Sequence, residues 1–209
     1  MNEIKCEDLF PTRLFKTKYN PKNIEEIKKY IIENHEHHKT PNKISMSRDN
    51  AFLGLENDVR FFSVKRDIES IFNKILTELY QVHSIEPYIC SMWSTCNIPG
   101  EGGQMHMHTN SYFSGVFYPF KENPSGINFF SPIQDKIPLD IAGNILQWNE
   151  FNSPNYLMSP KECDLIFFPS YLLHQIMFND SKDKRRHSIA FNIFLKGNFK
   201  APTSNLLLN

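Results

Sequence analysis

Glycine is scarce in this chain, with 8 among 209 residues, and cysteine is scarcer still, with 4, at positions 6, 90, 96 and 163. So little glycine excludes a collagen-like or low-complexity chain. So few cysteines, none in a CxxC pair, exclude a disulfide framework and a structural zinc ribbon, and predict reduced, mostly buried thiols. Net charge is missing as well, because 23 basic side chains meet 23 acidic ones. Without a basic excess or a Lys/Arg block there is no long-range attraction to a phosphate backbone or an anionic membrane, and nucleic acid is not expected as a ligand. No run approaches 18 apolar residues, and the first residues lack a basic flank leading into an apolar stretch. The expectation is a soluble, unexported, cytoplasmic protein with no membrane segment.

What the chain has in quantity is phenylalanine, 18 residues, and enough length to bury a sizeable core. One domain spanning residues 1–209 is expected, with a helical part at 1–86, a β core at 87–196 and a surface tail at 197–209. The first helix is predicted from Asn20-Pro21 to about Asn34, since Ile24, Ile27, Tyr30 and Ile31 form one apolar face. A second, from about Val64 to Tyr80, carries Val64, Ile68, Ile71, Phe72, Ile75, Leu76 and Leu79 at the 3.6-residue period. After Pro87 the texture changes to short aromatic and β-branched runs. These predict eight strands near 88–97, 104–108, 112–119, 126–131, 144–150, 164–168, 172–178 and 187–195. With no helix-length segment between them, they fit a mainly β jelly roll (a cupin-like double-stranded β-helix) with the two N-terminal helices packed outside.

Three stretches carry chemistry. His106 and His108 sit two apart in an extended segment, so period-2 alternation points both imidazoles the same way. Such a pair suits a divalent transition metal or, equally, two histidines that merely hydrogen-bond. His174 begins a strand after the Pro169-Ser170 turn; alone it reads as a core or rim histidine, but a jelly roll brings distant strands together and lets it meet the pair. Arg186 and Ser188 share one strand face while Ile189, Phe191 and Ile193 share the other. A guanidinium and a hydroxyl together make a receptor for a carboxylate, the alternative being an exposed basic cluster from Lys182 to Arg186. Arg185 is assigned to solvent, as are the histidines of His35-Glu36-His37-His38 at a helix C-terminus.

Taken together, Trp93, His106-Met107-His108-Thr109-Asn110-Ser111, Ser114-Gly115-Val116-Phe117-Tyr118, Phe168-Pro169-Ser170, His174 and Arg186-His187-Ser188-Ile189-Ala190-Phe191-Asn192 resemble the 2-oxoglutarate/iron(II)-dependent oxygenases, and within them the oxygenase family common in bacterial and phage genomes. The resemblance spans about residues 88–196. It implies Fe(II) as metal, 2-oxoglutarate as cosubstrate and O2 as oxidant, acting to hydroxylate a small molecule or a peptide side chain with release of succinate and CO2. By the same resemblance His106 and His174 are iron ligands and catalytic residues. His108 stands where most of the superfamily has a carboxylate; were His108 instead the first ligand, the carboxylate's place would fall to Asn110, a poor ligand, so His106, His108 and His174 are the preferred set. Three neutral histidines leave the ion a formal +2, so the site leans on the 2-oxoglutarate dianion. The distal carboxylate of 2-oxoglutarate falls to Arg186 and Ser188, with the Tyr118 hydroxyl reaching it. Phe113, Phe117, Phe129, Phe130, Trp93 and Trp148 are expected as a dry lining, and the loops at 39–60, 97–104 and 132–160 as substrate contacts. A cupin-like metal-dependent dioxygenase or isomerase without 2-oxoglutarate is the competing enzyme reading, and a non-enzymatic jelly-roll binding module the third.

Overall fold

Alternation of apolar and polar residues every second position lets one strand face two interiors, and the β half of this chain is built on that property. The computed structural model describes residues 5–8, 10–35, 45–46, 54–133 and 142–209. Its elements are β1 (Phe15–Lys18), α1 (Ile24–His35), β2 (Ser45–Met46), α2 (Phe62–Lys74), a π turn (Ile75–Leu79), then β3 (Ile85–Asn97), β4 (Phe113–Tyr118), β5 (Ile127–Phe130), β6 (Asn155–Met158), β7 (Asp164–Pro169), β8 (His174–Ile176), β9 (Arg186–Ala201) and β10 (Ser204–Leu208). A seven-stranded sheet runs β1-β7-β4-β9-β3-β2, with β10 added to β9, and faces a three-stranded sheet, β6-β5-β8. The described strand pairings are antiparallel. This is the mainly β jelly roll with two helices that the sequence predicts.

The large sheet separates two cores. On one side Ile27 and Ile31 of α1 and Val64, Ile68 and Phe72 of α2 pack with Phe113, Phe117, Phe167, Ile189, Phe191 and Ile193. On the other, between the sheets, lie Val116, Tyr118, Ile127, Phe129, Ile166 and Phe168. Gly115 in β4 is required by close approach, since a Cβ there would meet the Phe191 ring at 2.3 Å and the Ile166 carbonyl oxygen at 2.4 Å. Among the described residues no helix is long and apolar enough to cross a membrane.

Several expectations change. Residues 104–108 form no ladder strand; only His106 makes a β-bridge, to His174. Residues 144–150 are a short 3-10 turn followed by bends and turns, and the strand that pairs with β5 is Asn155–Met158. The Asn149–Asn152 hydrogen bonds satisfy that stretch locally, which is the competition Asn side chains offer to a ladder. Residues 197–209 are largely exposed but belong to the β9–β10 hairpin. β1 had no sequence signal; it is held on β7 by Lys16 and Lys18, which reach the buried Asp164 carboxylate at 2.7 and 2.8 Å. The cysteines are free, but only Cys96 is buried, while Cys6 and Cys90 are exposed.

Phe72 has no exposed surface and lies 5.0 and 5.5 Å, ring to ring, from Phe113 and Phe167. Phe72→Ala is expected to lower stability by about 3–5 kcal/mol through lost burial and the cavity left behind, measured by urea denaturation.

Candidate metal and cosubstrate site

His174 opens β8, and residues 103–108 are strapped along it by backbone bonds. His106 and His174 exchange both N–H···O bonds, at 2.9 and 3.0 Å, Gly103 N–H reaches the Ile176 carbonyl, and His108 N–H reaches the Ser170 carbonyl. This strap brings the three rings together. His106 and His174 have centroids 4.4 Å apart, while His108 stacks on His174 at 5.1 Å and on Trp93 at 5.8 Å. One nitrogen from each of His106, His108 and His174 lies within 4.8 Å of the other two. Asn110 sits in an exposed turn at positive φ and takes no part in this group.

The direction of each ring follows from what its other nitrogen touches. His106 Nδ1 lies 2.8 Å from the Gln104 carbonyl oxygen, and His174 Nδ1 lies 2.9 Å from that of Leu172. A carbonyl only accepts, so both Nδ1 atoms carry the proton and both Nε2 atoms present lone pairs. His108 Nε2 is 3.3 Å from His174 Nε2. Two imidazoles each about 2.1 Å from one ion hold their nitrogens roughly 3.0–3.4 Å apart at right-angled to tetrahedral geometry. The donor set therefore fits a divalent transition metal, with the second nitrogens oriented as in metal-bound histidines.

The same cavity, about 50 Å³, continues to Arg186, with Trp93, Thr95, Gly115, Val116, Phe168 and Ala190 along its walls. Arg186 is wholly buried. Its Nε donates to the Ser125 carbonyl at 3.1 Å, Nη1 to Ser188 Oγ at 3.2 Å and Nη2 to Tyr118 Oη at 3.1 Å. All these partners are neutral, and Arg186 makes none of the ion pairs found among the described residues. Asp164 is already engaged by two lysines. Ser125 Oγ, buried, has no hydrogen-bond partner among the described residues. A buried guanidinium without a counter-charge costs several kcal/mol, and a bidentate carboxylate supplies what it lacks.

Residues 91–192 match the model of the family described as "Putative 2OG-Fe(II) oxygenase". Over this segment, just under half of its length, the chain is similar to that oxygenase family. That family uses Fe(II), 2-oxoglutarate and O2. Among solved structures, HygX from Streptomyces hygroscopicus, with nickel and 2-oxoglutarate bound, is similar at 9 % identity and a TM-score of 0.56, covering 87 % of this chain and 82 % of that one. The 2-oxoglutarate-dependent epimerase SnoN of nogalamycin biosynthesis matches at 10 % identity and 0.56, covering 92 % and 83 %. A Pseudomonas putida prolyl-4-hydroxylase matches at 10 % and 0.52, covering 87 % and 92 %. At these identities the likeness shows the jelly-roll fold. No curated protein matches the chain.

The expected aromatic lining divides. Trp93 walls the cavity, and Phe129 lies 6.0 Å from His174. Phe113 and Phe117 instead belong to the helix-side core, because their parity in β4 is opposite to that of Val116, and Trp148 is half exposed. Phe168, 4.8 Å from His174, fills the place they were assigned. Arg185 is not a solvent residue: its Nη1 donates to the His35 carbonyl at 2.8 Å, tying the end of α1 to β9. Nor is His35, which is 1 % exposed with Nε2 2.8 Å from Ser94 Oγ. Glu36, His37 and His38 lie outside the described residues, as do most of 39–53 and 134–141.

Burial pushes His174 down to about 3, and His108 and His187 to about 4. All three are neutral at pH 7 in the folded chain, whereas in the unfolded chain they titrate near 6.5. As pH falls below 6.5 the unfolded state binds protons that the folded state refuses, so stability present above 6.5 is lost progressively down to about 4. The slope is up to about 1.4 kcal/mol per pH unit for each ring. The urea midpoint of the metal-free protein should fall between pH 7.5 and 5.0, and less so in His187→Asn; an unchanged midpoint in that range would show the rings to be open to water.

Proposed function

We propose that this protein is a non-haem Fe(II)- and 2-oxoglutarate-dependent dioxygenase that hydroxylates a small molecule or a peptide side chain. One observation carries the reading: a buried guanidinium with no counter-charge among the described residues and three converging imidazole nitrogens share one cavity. His106, His108 and His174 would hold the iron. Arg186 would take the far carboxylate of 2-oxoglutarate, with Ser188 and Tyr118 fixing the plane of the guanidinium. With iron, 2-oxoglutarate and O2 bound, the chemistry supplied is oxidation of a C–H bond coupled to conversion of 2-oxoglutarate into succinate and CO2.

The chain's own part is positional. Carbonyl oxygens of residues 104 and 172 hold His106 and His174 in the tautomer that frees Nε2. Trp93 stacked on His108 and Phe168 set edge-on to His174 limit the access of water. Ala190 and Gly115 keep the wall between the two ends thin. Similar proteins are described as a hydroxylase and an epimerase, so the product must be weighed: hydroxylation adds one oxygen atom to the substrate, and epimerisation adds none.

Anaerobic protein should bind one Fe(II) per chain, and 2-oxoglutarate should then induce a visible absorption band. His106→Ala and His174→Ala should abolish iron binding. Arg186→Lys should raise the 2-oxoglutarate concentration needed for that band by about 10- to 150-fold, the worth of one charge-assisted bond of 1.5–3 kcal/mol, because an ammonium cannot reproduce the planar fork. Lys184→Gln, on an exposed pair with Glu122, should change nothing. A ligand set free of carboxylates would equally suit a cupin-like metal enzyme. Iron retained by the wild type with no response to 2-oxoglutarate would establish that reading instead. Succinate release against a panel of amino acids, peptides and nucleosides, followed by product mass, identifies the substrate.

A further inference from the structure

Strand β3 is bonded to β9 along one edge, and its other edge meets β2 only at Thr95 and Cys96. From Ile85 to Ser94 that outer edge has no strand beside it among the described residues, so N–H groups that point outward need other acceptors. In a regular strand every second residue sends its N–H to the same edge. Pro87, which has no N–H to give, fits such an outward position. The next, Ile89, gives its N–H to Glu69 Oε1 of α2 at 2.8 Å. The following outward donor is not Ser91 but Met92, whose N–H reaches Glu56 Oε2 of the 3-10 turn Leu55–Asn57, also at 2.8 Å. A spacing of three along one edge requires an inserted residue, and the β3–β9 register shifts between Ile89 and Ser91. The two half-buried carboxylates therefore bracket the bulge at Cys90, one on each side, through charge-assisted bonds that are stronger than those of a ladder. Beyond the bulge lies the metal-side wall of the cavity. Trp93 stacks on His108 at 5.8 Å, and Thr95 Oγ1 lies 2.7 Å from Ser188 Oγ, which accepts from Arg186 Nη1.

We propose that Glu56 and Glu69 are positioning residues for this wall: by taking the outward N–H groups of Met92 and Ile89 they hold the bulge in place, and so keep Trp93 on the ring of His108 and Thr95 on the hydroxyl beside Arg186. Neither carboxylate lines the cavity; both act through the register of β3. The helical part of the chain thereby sets the phase of the site as well as covering a core. The consequence for metal binding rests on the ligand reading given above, whereas the clamp itself does not.

The test uses the full chain carrying Trp148→Phe, which leaves Trp93 as the remaining one of two tryptophans. In this metal-free parent the Ile89 and Met92 amide protons should exchange slowly although no strand lies beside them, and nuclear Overhauser contacts should join the Trp93 indole to the His108 ring. Glu56→Leu and Glu69→Leu each remove an acceptor. Both should expose their own amide to exchange and weaken the indole contacts, and Co(II), followed by its visible absorption, should bind about 10- to 100-fold more weakly, the usual cost of losing a group that orients a ligand. Glu56→Gln and Glu69→Gln keep an acceptor oxygen and should keep the contacts. Val64→Ala, which opens the helix-side core without touching an outward N–H, should keep them too, so that lost stability alone does not imitate the effect. Folded leucine variants with undiminished Trp93–His108 contacts overturn the proposal, as does an equal loss in the glutamine variants or in Val64→Ala. Fast exchange of both amides in the parent overturns it without any glutamate variant, which decides the matter if the leucine variants do not fold. A parent that binds no Co(II) overturns the metal reading and leaves the clamp to be decided by the contacts.

Discussion

Strand β9 must serve two interiors at once, and the rest of the molecule is arranged around that demand. It is paired on both sides, by β3 from Arg186 to Gly197 and by β4 from Ile189 to Ile193, so it has no free edge there, and its residues from Arg186 to Phe191 are buried on both faces. His187, Ile189, Phe191 and Ile193 face the helices; Arg186, Ser188, Ala190 and Asn192 face the space between the sheets. The helix-facing residues bury large apolar surface, which drives folding. The cavity-facing residues are a cation, a hydroxyl, a methyl group and an amide, a set that contributes little burial and leaves a charge to be answered. The helices are thus what permits β9 to carry a polar face inside the protein.

Two unanswered groups lie at different places in one cavity and ask for opposite charges. Three imidazoles converge with one nitrogen each and offer a cation its ligands, and a guanidinium with only neutral partners among the described residues lacks an anion. A metal ion alone would answer the first and leave the second. An anion alone would do the reverse. A metal together with a dicarboxylate long enough to reach from it to Arg186 satisfies both, and this joint demand favours iron with 2-oxoglutarate over a metal-only site. Among the described residues no carboxylate joins the three-histidine group, which strengthens the argument, because the neutralising charge then comes with the ligand.

The parts of this arrangement that depend on local periodicity were legible in the sequence. The apolar stripe of Val64, Ile68 and Phe72, the His106/His108 spacing and the parity of Arg186 with Ser188 all follow from 3.6- and 2-residue repeats, and each appears in the structure. Features set by long-range contact were not. β1 is four residues with three exposed, placed by ion pairs to a strand about 150 residues away. Arg185 and His35 look like solvent residues in a charge run and at a helix end, and only contacts across the chain, the Arg185–His35 bond over 150 positions among them, draw them in. Asn192 lay between: an amide in an apolar strand, at the same parity as Arg186, was a visible signal that the polar face continues along β9, where it meets Ser91 and Ser114.

The phasing of β3 against β9 was the least legible feature, because it depends on one extra residue. Up to Ile89, paired with Ile193, the odd positions of β3 face the helices. The register then shifts at Cys90, and Ser91 pairs with Asn192, Trp93 with Ala190 and Thr95 with Ser188. Odd positions now face the cavity, while Met92 joins the helix-side core. A bulge is the only device that lets a strand change faces in this way without breaking its pairing. Without it Trp93 would turn toward the helices and away from His108, Ser91 would leave the Asn192 amide, and Thr95 would lose its 2.7 Å contact with Ser188 Oγ beside the guanidinium. The bulge is therefore a functional feature of β3: it costs one unpaired residue at an exposed position and sets the whole cavity-facing wall in register with β9.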